Sequence, residues 1–595
     1  MRAIWTLLAV AIALAATAVA AHAFCGFYVA GSNQRMFNDA TQVVLMRDGT
    51  RTVLTMQNDY RGPLEDFAMV VPVPVVLKPT DVKVVDKAVL GRLDSLGSPR
   101  LVEYWEQDPC PAPVVAKHVR AVPEPVAPAS PAPAMSLSPR EAAGDSGLPA
   151  EPMAVAPVLA AFAADPPALT AGVATPITWS FSYANDPYPE PRCTIDHGVG
   201  RVTSGATRSL TLRETTTVTL VCGNAAGRST KQFRISVVKI EAEFEVAEYQ
   251  IKILSATEAA GLEQWLRLNG YKIPDDAEPL LRPYIDSGSK FFVAKVDPKK
   301  VKMLDGRLAL SPLRFHYDSE DFSLPIRLGL ANSSGKQDLI VNILSADRRY
   351  EVANYKNVFI PTNFDVKPAV KTRFAEFYAA LLDRTLETHP GAVVTEYAWT
   401  AVPNYHCDPC TDADISNPDV LALGGDIVGG QLAMGTFVLT RLHARYGKSD
   451  MTDDLRFREA RPVTGGREQW TAQGLESGAQ PSPQNYFQAR YAIRHEWTGP
   501  ISCPNPVRGV WGGPPDGNRQ PPIAAGRIAF APRGQLELAA VVNRDLWELG
   551  YTWSPSPPTR SSAAPARDRG WLGELGFGAL VLLALGVLIA RRMRA

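Results

Sequence analysis

Apolar and polar positions alternate over much of the first hundred residues. Thr41-Gln-Val-Val-Leu-Met46 and the run Thr50 to Gln57 flank Arg47-Asp48-Gly49. That pattern predicts two strands joined by a tight turn, with glycine supplying the positive φ. Phe67-Ala-Met-Val-Val71 predicts another strand. Pro72-Val-Pro74 then withholds ladder donors, which places it at an edge or a strand end. The period changes at Val85, Val89, Leu93 and Leu96, which recur at helical spacing until Gly97-Ser98-Pro99 stops them.

Between 111 and 161 neither period survives: proline, alanine and valine dominate, which predicts an extended linker. Residues 162–239 alternate again. Pro176 to Tyr183 carries Trp179 and Phe181 on one face, and Thr215 to Cys222 and Lys231 to Val238 are further strands joined through Gly223 to Gly227. Cys193 and Cys222 fall on separate predicted strands, which suggests an inter-sheet disulfide. Ile195-Asp-His-Gly-Val-Gly200, Thr215-Thr-Thr and Asn224-Ala-Ala-Gly227 resemble bacterial immunoglobulin-like domains. That resemblance implies a sandwich and no particular function.

Beyond residue 240, Thr257 to Asn269 reads as a helix with Thr257 as N-cap and Gly270 as its stop. Pro274 to Ser287 reads as a second short helix and Lys290 to Val296 as a strand. Arg373 to Thr388 predicts a helix with Phe374, Phe377, Leu381 and Leu382 inward. Val393 to Trp399, Thr436 to Tyr446 and Tyr486 to Trp497 predict strands, and Pro504 to Pro522 a glycine- and proline-rich loop.

The two termini break this pattern. Met1-Arg2, the apolar run Ile4 to Ala20 and Ala21-His22-Ala23 read as a signal peptide over 1–23, the rival being an uncleaved anchor. Residues 571–590 hold one charge, Glu574, and Arg591, Arg592 and Arg594 follow. About 20 apolar residues suffice for a membrane-spanning helix, and the arginines mark a cytoplasmic tail. Trp571 opens this anchor, behind a flexible stalk over 554–570. An apolar helix followed by arginines is also the pattern of a cleaved sorting tail. The expected location is therefore the cell membrane, crossed once, with the body of the chain outside the cytoplasm and 591–595 inside.

Composition narrows the partners. Sixty-one basic and 61 acidic side chains balance, which argues against a nucleic-acid partner. Seven cysteines suit an oxidising compartment and leave at least one outside an intramolecular pair. The partners of Cys25, Cys110 and Cys503 are not fixed by spacing.

Trp265-Leu-Arg-Leu-Asn-Gly-Tyr-Lys-Ile-Pro274, Leu281-Arg-Pro-Tyr-Ile285 and Phe291-Phe-Val-Ala-Lys295 resemble the bacterial family known as domain of unknown function 2330. So do Cys25-Gly-Phe-Tyr28, Phe67 to Pro74, Leu324 to Leu328, His406-Cys-Asp-Pro-Cys410 and Leu439 to Tyr446. The likeness spans most of 24–498 apart from 111–240. It implies a secreted or membrane-anchored protein with no assigned activity, and a discontinuous domain made of 24–110 and 240–553, with the linker and sandwich inserted at a surface loop. The fold class expected is α+β: this β-rich discontinuous domain, an all-β immunoglobulin-like sandwich and one C-terminal transmembrane helix.

The most pointed motif is His406-Cys407-Asp408-Pro409-Cys410. A redox pair would open a helix, whereas here an acidic loop with Asp412, Asp414 and Asp419 follows, disfavouring thiolates. A structural disulfide, within the pair or to Cys503, is the reading preferred. His406, Cys407 and Cys410 are the weak metal candidates, and zinc would have to recruit His443 and His495 from distant strands. Asp412 to Ser416 begins like a calcium loop but lacks the required glycine at 417 and glutamate at 423. Gly447-Lys448-Ser449 lacks the first phosphate-loop glycine, and the two S-x-x-K matches, Ser287 to Lys290 and Ser333 to Lys336, sit in turns before strands. Arg441/Arg445 and Arg490/Arg494 repeat at even spacing, which fits an anion-binding face or a plain exposed strand face equally.

No catalytic residue and no cofactor is assigned. The reading left is a non-enzymatic envelope protein that binds a protein or glycan or builds surface architecture. Its rival is an extracytoplasmic enzyme, redox or metal protein centred on Cys407 and Cys410.

Overall fold

The hairpin predicted near the start forms from Phe37–Asp48 and Arg51–Arg61, turning at Gly49 with φ of 55°. The computed structural model describes residues 27–110, 155–401 and 415–552, apart from short interruptions. This hairpin lies inside an 11-stranded sheet. Phe37–Asp48 runs parallel to Gln337–Ser345, which pairs antiparallel with Phe437–Tyr446, and that strand with Val393–Ala401. A second sheet, of nine strands, sets Phe67–Val73 beside Lys290–Val296 and that strand beside Tyr249–Ser255. Strands from before residue 110 are thus partnered by strands from after 240 in both sheets.

The sheets pack face to face. Val43, Leu45, Leu54, Leu339, Val341, Ile343, Leu442 and Ala444 of one meet Met69, Val71, Ile251, Ile253, Phe292 and Ala294 of the other in one apolar core. The outer face of the nine-stranded sheet is covered by the helices Ala259–Leu268 and Glu278–Asp286. The outer face of the 11-stranded sheet is covered by Lys87–Gly97, by a short helical run within 417–433, and by Phe374–Thr388. The order of layers is helix, sheet, sheet, helix. The central strands are therefore buried on both faces, as Gln337–Ser345 is at every position, and any polar side chain there must find its partner inside.

Local chemistry sets the ends of these elements. Pro72 sits near the end of Phe67–Val73, past the four residues that pair with Phe27–Ala30, so its missing N–H costs no ladder bond there. The helix expected to be capped by Thr257 starts at Ala259 with Glu258 as N-cap, because the Thr257 hydroxyl is engaged 2.8 Å from that of Thr215. Gly270, at φ 84°, closes it in the left-handed conformation. The strand expected over 486–497 splits at Ala489: Tyr486–Gln488 belongs to the 11-stranded sheet and Arg490–His495 crosses to a five-stranded one, parallel to Arg100–Glu106. Gly466 packs against this crossing so closely that a Cβ would lie 1.9 Å from the Gln488 carbonyl oxygen.

Residues 159–237 build a further apolar core, with Trp179 wholly buried between Ile177, Val218, Leu220 and Ile235. Two expectations change here. Cys193 and Cys222 do form a disulfide, but they are direct cross-strand partners in one sheet, Cα atoms 4.1 Å apart, rather than a bridge between sheets. The boundary expected at 239/240 also falls inside a continuous strand. Gly227–Val246, 20 residues long, pairs with Thr216–Asn224 over its first half and Tyr249–Ser255 over its second. One strand thus belongs both to the unit around Trp179 and to the part of the nine-stranded sheet that holds Tyr249–Ser255.

Among the described residues no helix is long and apolar enough to cross a membrane. The signal peptide expected over 1–23, most of the expected linker, and the stalk, the anchor from Trp571 and the tail with Arg591, Arg592 and Arg594 expected after 553 lie outside the described residues.

Candidate functional site

Alternation along Phe437–Tyr446 sends Leu442, Ala444 and Tyr446 into the core between the sheets. Arg441, His443 and Arg445 then occupy the helix-facing side. The neighbouring strand places Asp338 opposite Arg445 and Asn342 opposite Arg441. On the other flank the register slips between Thr395 and Tyr397, leaving Glu396 as the extra residue of a β-bulge. Bulges re-aim a side chain, and this one turns the Glu396 carboxylate onto both cations. Its Oε1 lies 2.6 Å from His443 Nδ1 and its Oε2 2.7 Å from Arg441 Nε. The bulge is held by the Ala489 N–H, which donates to the Glu396 carbonyl at 2.9 Å.

The covering helices complete the network. Asp94, from Lys87–Gly97, accepts from Arg441 Nη1 at 2.6 Å. Tyr378, from Phe374–Thr388, donates its hydroxyl to Glu396 Oε1 at 2.8 Å. Asp338 lies 3.1 Å from His443 Nε2 and accepts from Arg445 at 2.7 Å and from Arg533 at 2.8 Å. Asp383 pairs with Arg533 and lies 3.5 Å from Arg445. Four carboxylates thus face three guanidinium groups and one imidazole. The inner members, Glu396, Arg441 and His443, have side chains 0 % exposed, while the outer Asp383 reaches 29 %.

Proton positions follow from this geometry. Both ring nitrogens of His443 face carboxylate oxygens, so both must donate and the ring is an imidazolium. Burial alone would lower the His443 pKa, but Glu396 and Asp338 outweigh it and raise the value above 6.5. Burial would likewise raise Glu396, yet His443 and Arg441 hold it down to about 2. Asp338 is lowered against its own burial by His443, Arg533 and Arg445. Asp383 goes the other way: burial raises it despite the same two arginines.

A carboxylate bonded to a histidine is half of an acyl-transfer relay. The other half is closed off: the Nε2 that would take a nucleophile's proton is occupied by Asp338, and no face of the ring reaches solvent. The network can hold charge and fix geometry, but it cannot touch a substrate in this conformation.

The arginine expectation is corrected by the same geometry. Arg441 and Arg490 are 0 % and 1 % exposed, so they form no exposed strand face. Arg490 donates to Asn363 Oδ1 at 2.6 Å, and Arg490 and Arg494 both lie over the Tyr104 ring, at 5.2 and 5.3 Å. Arg494 is paired with Asp365 at 3.0 Å and covered by Trp511. His495 bonds Glu103 at 2.9 Å and stacks on Trp105. Asp419 is no solvated loop residue: it forms a capping box with Ser416 and pairs with Arg92. Ser287 caps the end of Glu278–Asp286, its hydroxyl donating to the Tyr284 carbonyl at 2.9 Å.

Cys110 and Cys503 form the second disulfide, across 393 residues of sequence. That removes Cys503 as a partner for the C-x-x-C motif. His406, Cys407, Cys410 and Cys25 lie outside the described residues. Among the described residues no group of three His, Cys, Asp or Glu side chains could hold a metal ion.

The chain itself marks Arg441, His443 and Arg445 but not their partners. The available signal was three charged residues alternating with Leu442 and Ala444 in an otherwise apolar strand, which demands buried counter-charges. Glu396 carries no such mark, since only the bulge brings it there.

A family model described as "Uncharacterized protein conserved in bacteria (DUF2330)" matches residues 19–171 and 211–458. The interruption, 172–210, is narrower than the insertion expected and falls within the unit around Trp179. No curated protein and no solved structure matches the chain.

Proposed function

Because the chain belongs to this bacterial family, whose description carries no activity, we propose a function from its own residues: a non-catalytic binding or architectural protein, secreted and held at a membrane by residues 571–590. The observation that supports it most is the burial of Glu396, His443 and Arg441, a constellation suited to catalysis yet spent on mutual neutralisation. Its worth lies in fixing the register of three strands and tying two helices and Arg533 to them. Two disulfides favour an oxidising compartment. On this reading the unit around Trp179 and the Cys193–Cys222 bridge is an immunoglobulin-like spacer or binding module.

The test uses full-length protein from membranes. It should be inert across a broad hydrolase and oxidoreductase panel, begin at Phe24 by mass spectrometry and sediment with the membrane after alkaline washing. Turnover abolished by His443→Gln, in a variant that keeps its thermal transition, would overturn the non-catalytic reading.

A further inference from the structure

The loop after Arg490–His495 spends unusual resources on staying in place. Cys503 bonds Cys110. Glu106, 3 % exposed at its side chain, accepts from the N–H groups of Trp497 at 3.0 Å and Gly509 at 2.7 Å and from both ends of the Arg508 fork at 2.8 Å. The Val507 N–H donates to the Pro109 carbonyl at 2.8 Å, and the Gln107 N–H to the Val510 carbonyl at 2.7 Å. What these clamps present is apolar. Ile501, Val507 and Val510 are 47 %, 57 % and 47 % exposed, and among the described residues no other ten-residue window holds three large exposed apolar side chains. Trp497 and Trp511 flank them, half-buried.

A loop clamped in place with apolar side chains outward marks a contact surface. Its charge selects the occupant. Between 497 and 512 Arg508 is the one charged residue, and Glu106 neutralises it. Exposed carboxylates stand beside it, Glu496 before Trp497 and Asp108 before the Pro109 that Val507 bonds, but among the loop's own side chains no unpaired charge remains for a protein partner or for sugar hydroxyls. Aliphatic tips flanked by tryptophans suit the interface of a bilayer. The chain itself would hold a bilayer nearby: 18 residues, 553–570, separate Thr552 from the apolar stretch. Tethering makes a weak second contact effective.

We propose that residues 497–512 form a membrane-seating loop, dipping Ile501, Val507 and Val510 into the lipid interface and fixing how the anchored body stands on the membrane. This rests on the anchored reading above. Full-length protein is reconstituted into vesicles of phosphatidylethanolamine and phosphatidylglycerol that carry a photoactivatable acyl chain, irradiated and peptide-mapped. Lipid adducts are expected on 497–512 as well as 571–590. The variant Ile501→Asp/Val507→Asp/Val510→Asp should lose the first set at least tenfold and keep the second, with the Cys110–Cys503 peptide pair intact. Should that variant misfold, Val507→Ser/Val510→Ser serves with the same readout. Adducts on 571–590 alone, or protein–protein crosslinks through 497–512 in their place, overturn the seating loop and leave anchoring standing. Adducts on 497–512 alone support the loop and overturn the anchor, and adducts on neither overturn both.

Discussion

Replacing Glu396 by glutamine tests the buried network where it is most exactly defined. The amide keeps the shape and can still accept from Tyr378 or Arg441, but it removes the charge that faces His443 at 2.6 Å and Arg441 at 2.7 Å. The fall from an ordinary 4.5 to about 2 corresponds to about 3 kcal/mol of preference for the ionised form. Because the side chain is fully buried, solvent screening takes little from that figure. Breaking one member out of a buried ion pair costs about 3–5 kcal/mol in general, so the two routes agree. The sign in pH follows from a depressed carboxylate. Its stabilisation is present above 4.5 and lost as pH falls through about 2. Urea unfolding of wild type and Glu396→Gln at pH 6 and again at pH 3 should therefore show a gap of about 3 kcal/mol that narrows on acidification. A gap below about 1 kcal/mol at pH 6, the worth of an exposed pair, would show that Glu396 is not held as a buried carboxylate between His443 and Arg441, as would a gap independent of pH.

His443 gives the opposite slope: its pKa is raised, so its contribution is complete below 6.5 and lost as pH rises past the folded value, and thermal scans of wild type should fall toward alkaline pH more steeply than those of His443→Gln. Gly466→Ala places a Cβ 1.9 Å from a backbone oxygen at a φ of 70°, so it should cost several kcal/mol (roughly the 1–3 of backbone strain plus the clash) and give mostly insoluble protein. Peptide mapping without reductant should recover Cys110 joined to Cys503, and Cys110→Ser should lower stability by up to about 5 kcal/mol and expose 499–510 to protease.

Much of the fold could be read from the chain because its elements declare themselves locally. Lys290–Val296 and Phe374–Thr388 emerge from apolar period alone, and Gly49 and Gly270 punctuate where left-handed backbone is needed. What could not be read depends on contacts between distant segments. Thr257 had the chemistry of a cap but found Thr215 first. Cys503 met Cys110 because Arg490–His495 runs parallel to Arg100–Glu106, a pairing no spacing rule announces. The candidate site was half legible: the strand supplying Arg441 and His443 was visible, while Asp94, Asp338, Glu396 and Asp383 arrive from four other elements, one by way of a bulge.

The strand Gly227–Val246 has a mechanical consequence. At about 3.3 Å per residue its 20 residues make a beam of roughly 65 Å that is stitched to one neighbour at one end and to another at the other. Domains joined by loose linkers swing about a hinge; here the joint is itself hydrogen-bonded sheet. A pull on the unit around Trp179 would load the nine-stranded sheet in shear, across many ladder bonds at once, instead of bending a linker. Force and orientation would pass between the unit around Trp179 and the nine-stranded sheet along this one strand, as through a strut.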